Sequence, residues 1–387
     1  MRIAIFSEVF LPKIDGITNR LRHTIDRLLD DGHEVRVFGP LHAQNRYRGV
    51  KVVQIAGMPL PLYPGLQITH PDPRIAWELF KFRPDVVHAV GPASLGVLGS
   101  IAARALGLPL VASYHTDLPA YLPRYGLGFA QPAIWPVIRA VHRLAHVNLC
   151  PSTVTRDELE GHGIGPVGIW RGGVDTERFR PEAASATMRL RLTEEVRPDA
   201  VKALAVYVGR VGAEKGLDRF FDLHDAIPGL HVAIVGDGPD RERLEKKARG
   251  KRFVFTGFLR GDELAAAYAS ADLFFMPSTT ETLGFVVREA MSSGTPVVAA
   301  RAGGQLDLVR EGENGLLYTP EDSSDAIRQV KTLIANPSQR RHLGLQARKA
   351  AEGGTWKEAT GRLLAHYETA IDLASRGQQA LHLEATG

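Results

Sequence analysis

A single cysteine, Cys150, in 387 residues makes an intramolecular disulfide impossible. It ends a strand-like VNLC run, so its expected role is a buried, inert thiol, which fits a reducing compartment. No apolar run reaches the roughly 18 residues of a membrane-spanning helix. The opening MRIAIFSEVF has one basic residue and a short apolar run, and is expected to be a strand rather than a signal peptide. No GxGxxG follows the first strand and no GxxxxGK[ST] occurs anywhere, so a dinucleotide fingerprint or P-loop is not supported. The zinc-protease order of His and Glu is absent, as is a DxD pair that would hold a diphosphate through a metal. Zinc-finger and ribonucleoprotein patterns are also missing, and a net charge of +4 is too weak to argue for nucleic acid. Aspartate and glutamate are absent from Leu118 through Arg156, a stretch that carries Arg124, Arg139, Arg143 and Arg156.

What is present is ordinary for a globular protein in bulk: 44% hydrophobic and 23% charged residues. The length suits two domains of roughly 150–200 residues. Short apolar strands alternate with amphipathic helices from end to end. Strands are expected at RIAIFSE, EVRVFGP, KVVQIAG, DVVHAVG, PLVASYH, HVNLCPS and VGIWRGG in the first half. LAVYVGRV, HVAIVGDG, RFVFTGF, DLFFMPS, PVVAARAGG and GLLYTP follow in the second. Continuous apolar strands alternating with helices indicate parallel sheets covered on both faces. Two such series predict two doubly wound Rossmann-like domains facing each other across a cleft. The polar, proline-flanked segment 181–201 is the expected break. The first domain is expected over residues 1–185, completed by a helix at about 356–376, and the second over 186–355. The end of the chain, RGQQALHLEATG, is expected to fray.

The run PSTTETLGFVVREAMSSGTPVVAARAGG carries the strongest chemical signal. Seven residues separate Glu281 from Glu289. Glu281 lies in a polar loop after an apolar strand; Gly284 opens a helix that carries Glu289. A helix N-terminus beyond a parallel strand attracts anions through its free N–H groups and dipole. Carboxylates beside it can accept hydrogen bonds from a diol. Acids also stabilise first helical turns in proteins with no such site, so the pair gains weight only from its company.

That company is GRVGAEK, another strand–turn–helix sequence. Arg210 and Lys215 converge on one side of its turn, where two fixed cations can neutralise a diphosphate and the charge that grows as a sugar departs. A solvated basic pair is the plainer alternative. In the first half, His115 ends a strand and is a candidate to hydrogen-bond a sugar hydroxyl, or a satisfied structural histidine. Gly16, at the first strand–helix turn, would let backbone approach a phosphate. The acid-free stretch adds Tyr121, Arg124 and Tyr125, and then a helix expected from about Pro136 with Arg139 and Arg143 on one face. Such a surface suits an anionic membrane, or is the solvated edge of a core helix.

Taken together, these motifs resemble the family 4 retaining glycosyltransferases of GT-B fold over nearly the whole chain. GRVGAEKG, FTGF, TETLGFVVREAMSSGTPVVAARAGG, RGGVDTERFRP and SEVFLPKIDGITNRL carry the likeness. SYHTDLPAYLPRY, PLPLYP and TETLG are most similar to sulfoquinovosyl-diacylglycerol synthases, which transfer sulfoquinovose from its UDP derivative to diacylglycerol. RGGVD departs from their usual single glycine before the valine. The resemblance implies that Arg210 and Lys215 bind the diphosphate and Glu289 the ribose. Glu281, Thr282, Leu283 and Gly284 would hold hexose and β-phosphate, His115 would meet the sugar's far hydroxyls, and Gly16 would touch phosphate. It implies no metal, cofactor or protein nucleophile, the leaving phosphate itself taking the acceptor proton. It also implies a nucleotide-sugar donor, a lipid acceptor and a cytoplasmic enzyme held peripherally at the inner face of the membrane. GDP-mannose- or UDP-glucose-dependent lipid glycosyltransferases share similar motifs. A nucleotide-sugar epimerase and a non-catalytic sugar-nucleotide binder are the remaining alternatives.

Overall fold

The structure, a computed structural model, describes residues 1–13, 15–59, 67–116, 119, 128–195 and 201–386. The chain divides into two compact units, Met1–Gly172 with Trp356–Gly387, and Gly173–Thr355. The first division therefore falls before the proline-flanked segment, because Phe179, Met188 and Leu192 pack into the core of the second unit. That segment folds as a short 3-10 turn, Pro181–Ala183, and a helix, Ala186–Thr193.

Unit 1 is built on an eight-stranded sheet. In chain order its strands are β1 (Arg2–Ser7), β2 (Glu34–Pro40), β3 (Arg46–Tyr47), β4 (Val50–Ile55), then β7 (Val86–Val90), β8 (Leu110–Ser113), β9 (Val147–Cys150) and β10 (Val167–Ile169). A separate hairpin, β5 (Gly57–Pro59) and β6 (Gln67–Thr69), lies between the two sets. Spatial order is β10-β9-β8-β7-β1-β2-β4-β3, parallel except for the β3–β4 pair. The helices are α1 (Gly16–Asp30), α2 (Arg74–Phe82), α3 (Ser94–Ala105), α4 (Gln131–His142) and α5 (Thr153–Gly161). Cys150 is buried, as expected of an inert thiol.

Unit 2 carries six strands, all parallel: β11 (Ala203–Val208), β12 (Leu230–Val235), β13 (Phe253–Gly257), β14 (Leu273–Met276), β15 (Val297–Ala300) and β16 (Leu316–Tyr318). Their order is β13-β12-β11-β14-β15-β16. Helix α6 is Ala186–Thr193; α7 (Arg219–Ala226), α8 (Arg241–Lys247), α9 (Gly261–Ala269), α10 (Phe285–Ser292), α11 (Ser323–Ala335) and α12 (Pro337–Glu352) follow. All six residues of β11 and all six of β12 are buried, which is why these strands are apolar throughout instead of alternating.

The last helix, α13 (Trp356–Thr386), belongs to unit 1. Its Leu363, Tyr367 and Ala370 are buried in the same core as Ile3, Ile5 and Trp170. The helical backbone continues to Thr386, well beyond the point where the polar composition predicts fraying. Helix α4 also differs from expectation. It begins at Gln131 and takes Pro136 into its interior, whereas the sequence reading starts it at that proline. Its buried face, Trp135, Ile138, Val141 and His142, anchors it over the sheet.

Candidate active site

Each sheet reverses its direction of growth once. In unit 2 the chain adds β12 and β13 on one side of β11, then returns to add β14, β15 and β16 on the other. The crevice beyond the carboxyl ends of β11 and β14 is therefore the topological switch point, where doubly wound sheets bind ligands. The segments that leave those two strands carry Arg210 with Lys215, and Glu281.

The turn after β11 is shaped by Tyr207. Its buried hydroxyl donates to the Arg210 carbonyl at 3.0 Å. Gly209 passes over that hydroxyl at φ +151°; a Cβ there would lie 2.7 Å from the oxygen, so the position requires glycine. Beyond it, Ala213–Lys215 form one 3-10 turn. This places the Arg210 guanidinium 3.6 Å from Glu214 Oε1 and lets Lys215 Nζ donate to Glu281 Oε1. Arg210, Glu214, Lys215 and Glu281 all exert their charge on the Tyr207 hydroxyl. Two residues that lie 66 positions apart in sequence are thus in direct contact.

The Glu281 loop is held from behind. Gly304 N donates to the Glu281 carbonyl at 2.6 Å. A Cβ on Gly303 would stand 2.6 Å from that same carbonyl, and one on Gly304 would meet the Thr282 backbone, so the chain here tolerates no side chain. Buried Gln305 donates through Nε2 to the Ser278 carbonyl at 3.0 Å and the Ala300 carbonyl at 2.6 Å. Leu283 is 2% exposed, so only its backbone is placed to meet a ligand. Gly284 precedes α10 without a side-chain cap.

Glu289 lies in the second turn of α10. Tyr268 of α9 donates to its Oε2 at 2.9 Å, and the Tyr268 carbonyl accepts from Thr295 Oγ1 at 2.8 Å. Desolvation dominates at Glu289 and pushes its carboxyl up to about 7, against the opposing effect of the Tyr268 bond. The carboxyl is held in place with one oxygen already used.

Unit 1 has the corresponding switch point, between β1 and β7, but fills it with its own side chain. Glu8, 6% exposed, accepts from the Leu95 and Gly96 N–H groups at the start of α3, and Ser94 approaches it at 3.5 Å. Burial pushes this carboxyl up to about 7, and the backbone donors act against that. A protein carboxylate thus occupies the helix N-terminus in unit 1, whereas the residue that precedes the topologically matching helix of unit 2 is Gly284, which has no side chain to cap it.

Gly16 is the exposed first residue of α1, whose cap is Asp15, accepting from Thr18 N at 2.8 Å. His115 is 8% exposed, and both of its ring nitrogens lie within hydrogen-bond distance of protein groups, Arg20 Nη1 at 2.9 Å and Ser113 Oγ at 2.9 Å. Tyr121, Arg124, Tyr125 and all of the PLPLYP motif but its first proline, Pro59, lie outside the described residues. Arg143 is exposed, but Arg139 is half-buried and its Nε donates to the His162 carbonyl at 2.7 Å. Trp135 is likewise withdrawn, stacked on His162 with ring centroids 3.6 Å apart. The expected pair of basic residues on one face of α4 is therefore one surface charge and one tether. Sequence reasoning missed Glu8, Arg20, Glu214 and Tyr268. Glu8 and Arg20 lie inside the SEVFLPKIDGITNRL motif and Glu214 inside GRVGAEKG, whereas Tyr268 has no local signal.

Known proteins resemble this chain over nearly its whole length. Residues 14–178 match the model of Glycosyltransferase Family 4, and residues 191–350 match that of Glycosyl transferases group 1. The sulfoquinovosyl transferase SQD2 of Arabidopsis thaliana is 39% identical over 94% of this chain and 72% of its own length. The chain belongs to the family 4 glycosyltransferases. A GDP-mannose-dependent α-mannosyltransferase of Mycolicibacterium smegmatis is also 39% identical, over 96% of this chain and 98% of its own. An α-monoglucosyldiacylglycerol synthase of Streptococcus pneumoniae is 28% identical over 88% of this chain and 80% of its own. Among solved structures, sucrose-phosphate synthase of Thermosynechococcus elongatus aligns with a TM-score of 0.77 over the whole of both chains at 20% identity. HepE of Anabaena with UDP and glucose aligns at 0.73 over 94% of this chain and 98% of its own, again at 20% identity. These neighbours show the GT-B fold, and the family makes the protein a glycosyltransferase.

Proposed function

We propose that the protein is a retaining hexosyltransferase that takes its sugar from a nucleotide diphosphate donor and delivers it to a lipid. The observation that carries the donor reading is the meeting of Lys215 and Glu281 at the β11/β14 switch point. Without a donor, the carboxylate neutralises the lysine. A diphosphate competes for Lys215 and Arg210, and its arrival frees Glu281 for the hydroxyls of the hexose. Glu289 takes the ribose. Thr282, Gly284 and the Leu283 backbone line the hexose and β-phosphate end. Unit 1 is assigned the acceptor, with Gly16 touching phosphate and His115 approaching the far hydroxyls of the transferred hexose. With two fixed cations at the leaving group, turnover needs no metal, and activity is expected to survive exhaustive chelation.

UDP-sulfoquinovose is the first-choice donor and diacylglycerol the acceptor, supported by the sequence motifs and the relative named as a sulfoquinovosyl transferase. A second reading is GDP-mannose, supported by a mannosyltransferase of equal identity and fuller coverage. Transfer assays on the purified protein with UDP-sulfoquinovose, GDP-mannose and UDP-glucose, each with diacylglycerol vesicles, separate them. Product from UDP-sulfoquinovose supports the first reading; product from GDP-mannose alone replaces it with the second. Donor consumption without lipid would indicate an epimerase, and no consumption at all a binder.

Among the described residues no helix is long and apolar enough to cross a membrane. Use of a lipid then calls for peripheral docking, for which we assign the exposed edge of α4. Phe129, in the turn before α4, is 82% exposed, Val137 on α4 is 55% exposed, and Arg143, directly after α4, is exposed. The location implied is the cytoplasmic face of the membrane. Because Arg139 is a tether, the charge test belongs to Arg143→Glu with Phe129→Ser. That variant is expected to lose co-sedimentation with anionic vesicles, and wild type to lose it at high salt. Equal binding by both would remove this surface from the mechanism.

A further inference from the structure

Unit 1 buries a run of polar groups beside the turn that follows β8. Arg20 of α1 is 2% exposed and its guanidinium lies 4.7 Å from the centroid of the Trp170 ring. Its Nη1 is 2.9 Å from His115 Nδ1 and 3.3 Å from the Trp170 carbonyl. On its other side, His115 Nε2 is 2.9 Å from Ser113 Oγ. Ser113 Oγ is 2.8 Å from His88 Nε2, and His88 Nδ1 is 2.8 Å from the Tyr367 hydroxyl on α13. The run thus ties α1, β7, β8 and the last helix together through side chains.

One end of this run has a fixed polarity. A guanidinium carries five N–H donors, no acceptor, and does not deprotonate in proteins. His115 Nδ1 must therefore accept, which leaves it without a proton. A neutral ring then carries its proton on Nε2, facing the Ser113 oxygen, which can accept. We propose that Arg20 is a positioning residue that fixes His115 as the neutral Nε2–H tautomer. The imidazole thereby donates through Nε2 alone, and its one lone pair, on Nδ1, is engaged by Arg20 and withheld from base catalysis. Among the described residues, the charged or titratable groups that act on the ring are Arg20 from α1, His88 from β7 and His142 from α4, each cationic or ionisable to a cation. Burial first, and then these charges, hold His115 well below its ordinary protonation range. His88 is pushed down to about 3 for the same reasons, burial and Arg20. An acceptor hydroxyl in a transfer reaction must then lose its proton to something other than this histidine.

The value of the tautomer to catalysis rests on the transfer reading above, but the tautomer itself does not, and the test reads it directly. Full-length protein labelled with 15N in histidine gives long-range 1H–15N correlations that separate the two ring nitrogens, with His115→Gln supplying the assignment. Wild type is expected to show a protonated Nε2 and an unprotonated Nδ1 at His115, unchanged between pH 5.5 and 8.5 on the order of the usual histidine range. Arg20→Lys, which keeps a donor, is expected to preserve the pattern. Arg20→Met is expected to give mixed tautomers, and its kcat profile to gain an ionisation in the same range with donor KM little changed. A wild-type His115 protonated on Nδ1, or one that titrates near pH 6.5, overturns the proposal, and neither outcome depends on Arg20→Met folding. Failure to find a donor sugar would leave this result standing, whereas a wrong tautomer would leave the transfer reading standing.

Discussion

At the scale of single residues, the site is a set of charges arranged to be displaced. Lys215 and Arg210 lie against Glu281 and Glu214, and the Tyr207 hydroxyl lies among all four. Removing one preorganised cation from a developing charge typically costs about 3–4 kcal/mol, or roughly 10²–10³ in turnover. Arg210→Ala and Lys215→Ala are each expected to lose activity on that order while retaining a native circular dichroism spectrum. Near-normal turnover in both would remove them from the chemistry. Glu289 gives a pH dependence with a definite sign. Its folded pKa of about 7 lies above the ordinary carboxyl value. The stability it contributes is therefore present at low pH and lost as pH rises through about 7. If Glu289 binds the ribose as proposed, it does so in its ionised form, so nucleotide affinity is expected to weaken as pH falls below about 7. Glu289→Gln is expected to weaken nucleotide binding, flatten that profile, and raise the ligand-free unfolding stability at pH 8 by on the order of 1–2 kcal/mol. Titration calorimetry across pH 6–8.5 checks the first two, and an unchanged slope in the variant would count against the assignment.

At the scale of elements, the strands and most helices were legible because their apolar runs are continuous and their turns carry glycine. The placement of Glu281 before a helix and Glu289 within it followed from Gly284. What local sequence could not supply was contact between distant turns. Nothing near Glu281 announces Lys215 as its partner, and nothing near Glu289 announces Tyr268. Glu8 reads as a polar residue ending a strand, yet it fills the start of a helix 87 positions away. Pro136 misled the reading of α4, because a proline that usually opens a helix here lies inside one. The support of the Glu281 loop by Gly303 and Gly304 is also a tertiary matter. Gly304→Ala is expected to push the loop off Lys215 and lower turnover by ten-fold or more, with the global fold intact. Unaltered kinetics in that variant would show that the loop does not need the close approach.

At the scale of the whole molecule, the chain leaves unit 1, builds unit 2, and returns to unit 1 through α13. That return is a matter of packing, since Leu363, Tyr367 and Ala370 complete a core begun by β1. Leu363→Ala is expected to destabilise the protein by about 2–4 kcal/mol, as a buried leucine deletion does, seen as a lower urea midpoint. An unmoved midpoint would mean that α13 is dispensable to unit 1. The proposed division of work between the two units rests on the same topology. Each has a switch point, but unit 1 seals its own with Glu8, and unit 2 surrounds its own with Arg210, Lys215, Glu281 and Glu289. The measurement that tests this assignment most directly is calorimetric titration of UDP and GDP into the wild-type protein and into Arg210→Ala/Lys215→Ala. Wild type is expected to bind one nucleotide diphosphate per chain, and the double variant to bind it at least a hundred-fold more weakly. Equal affinity in the two proteins would place the nucleotide elsewhere and contradict the account.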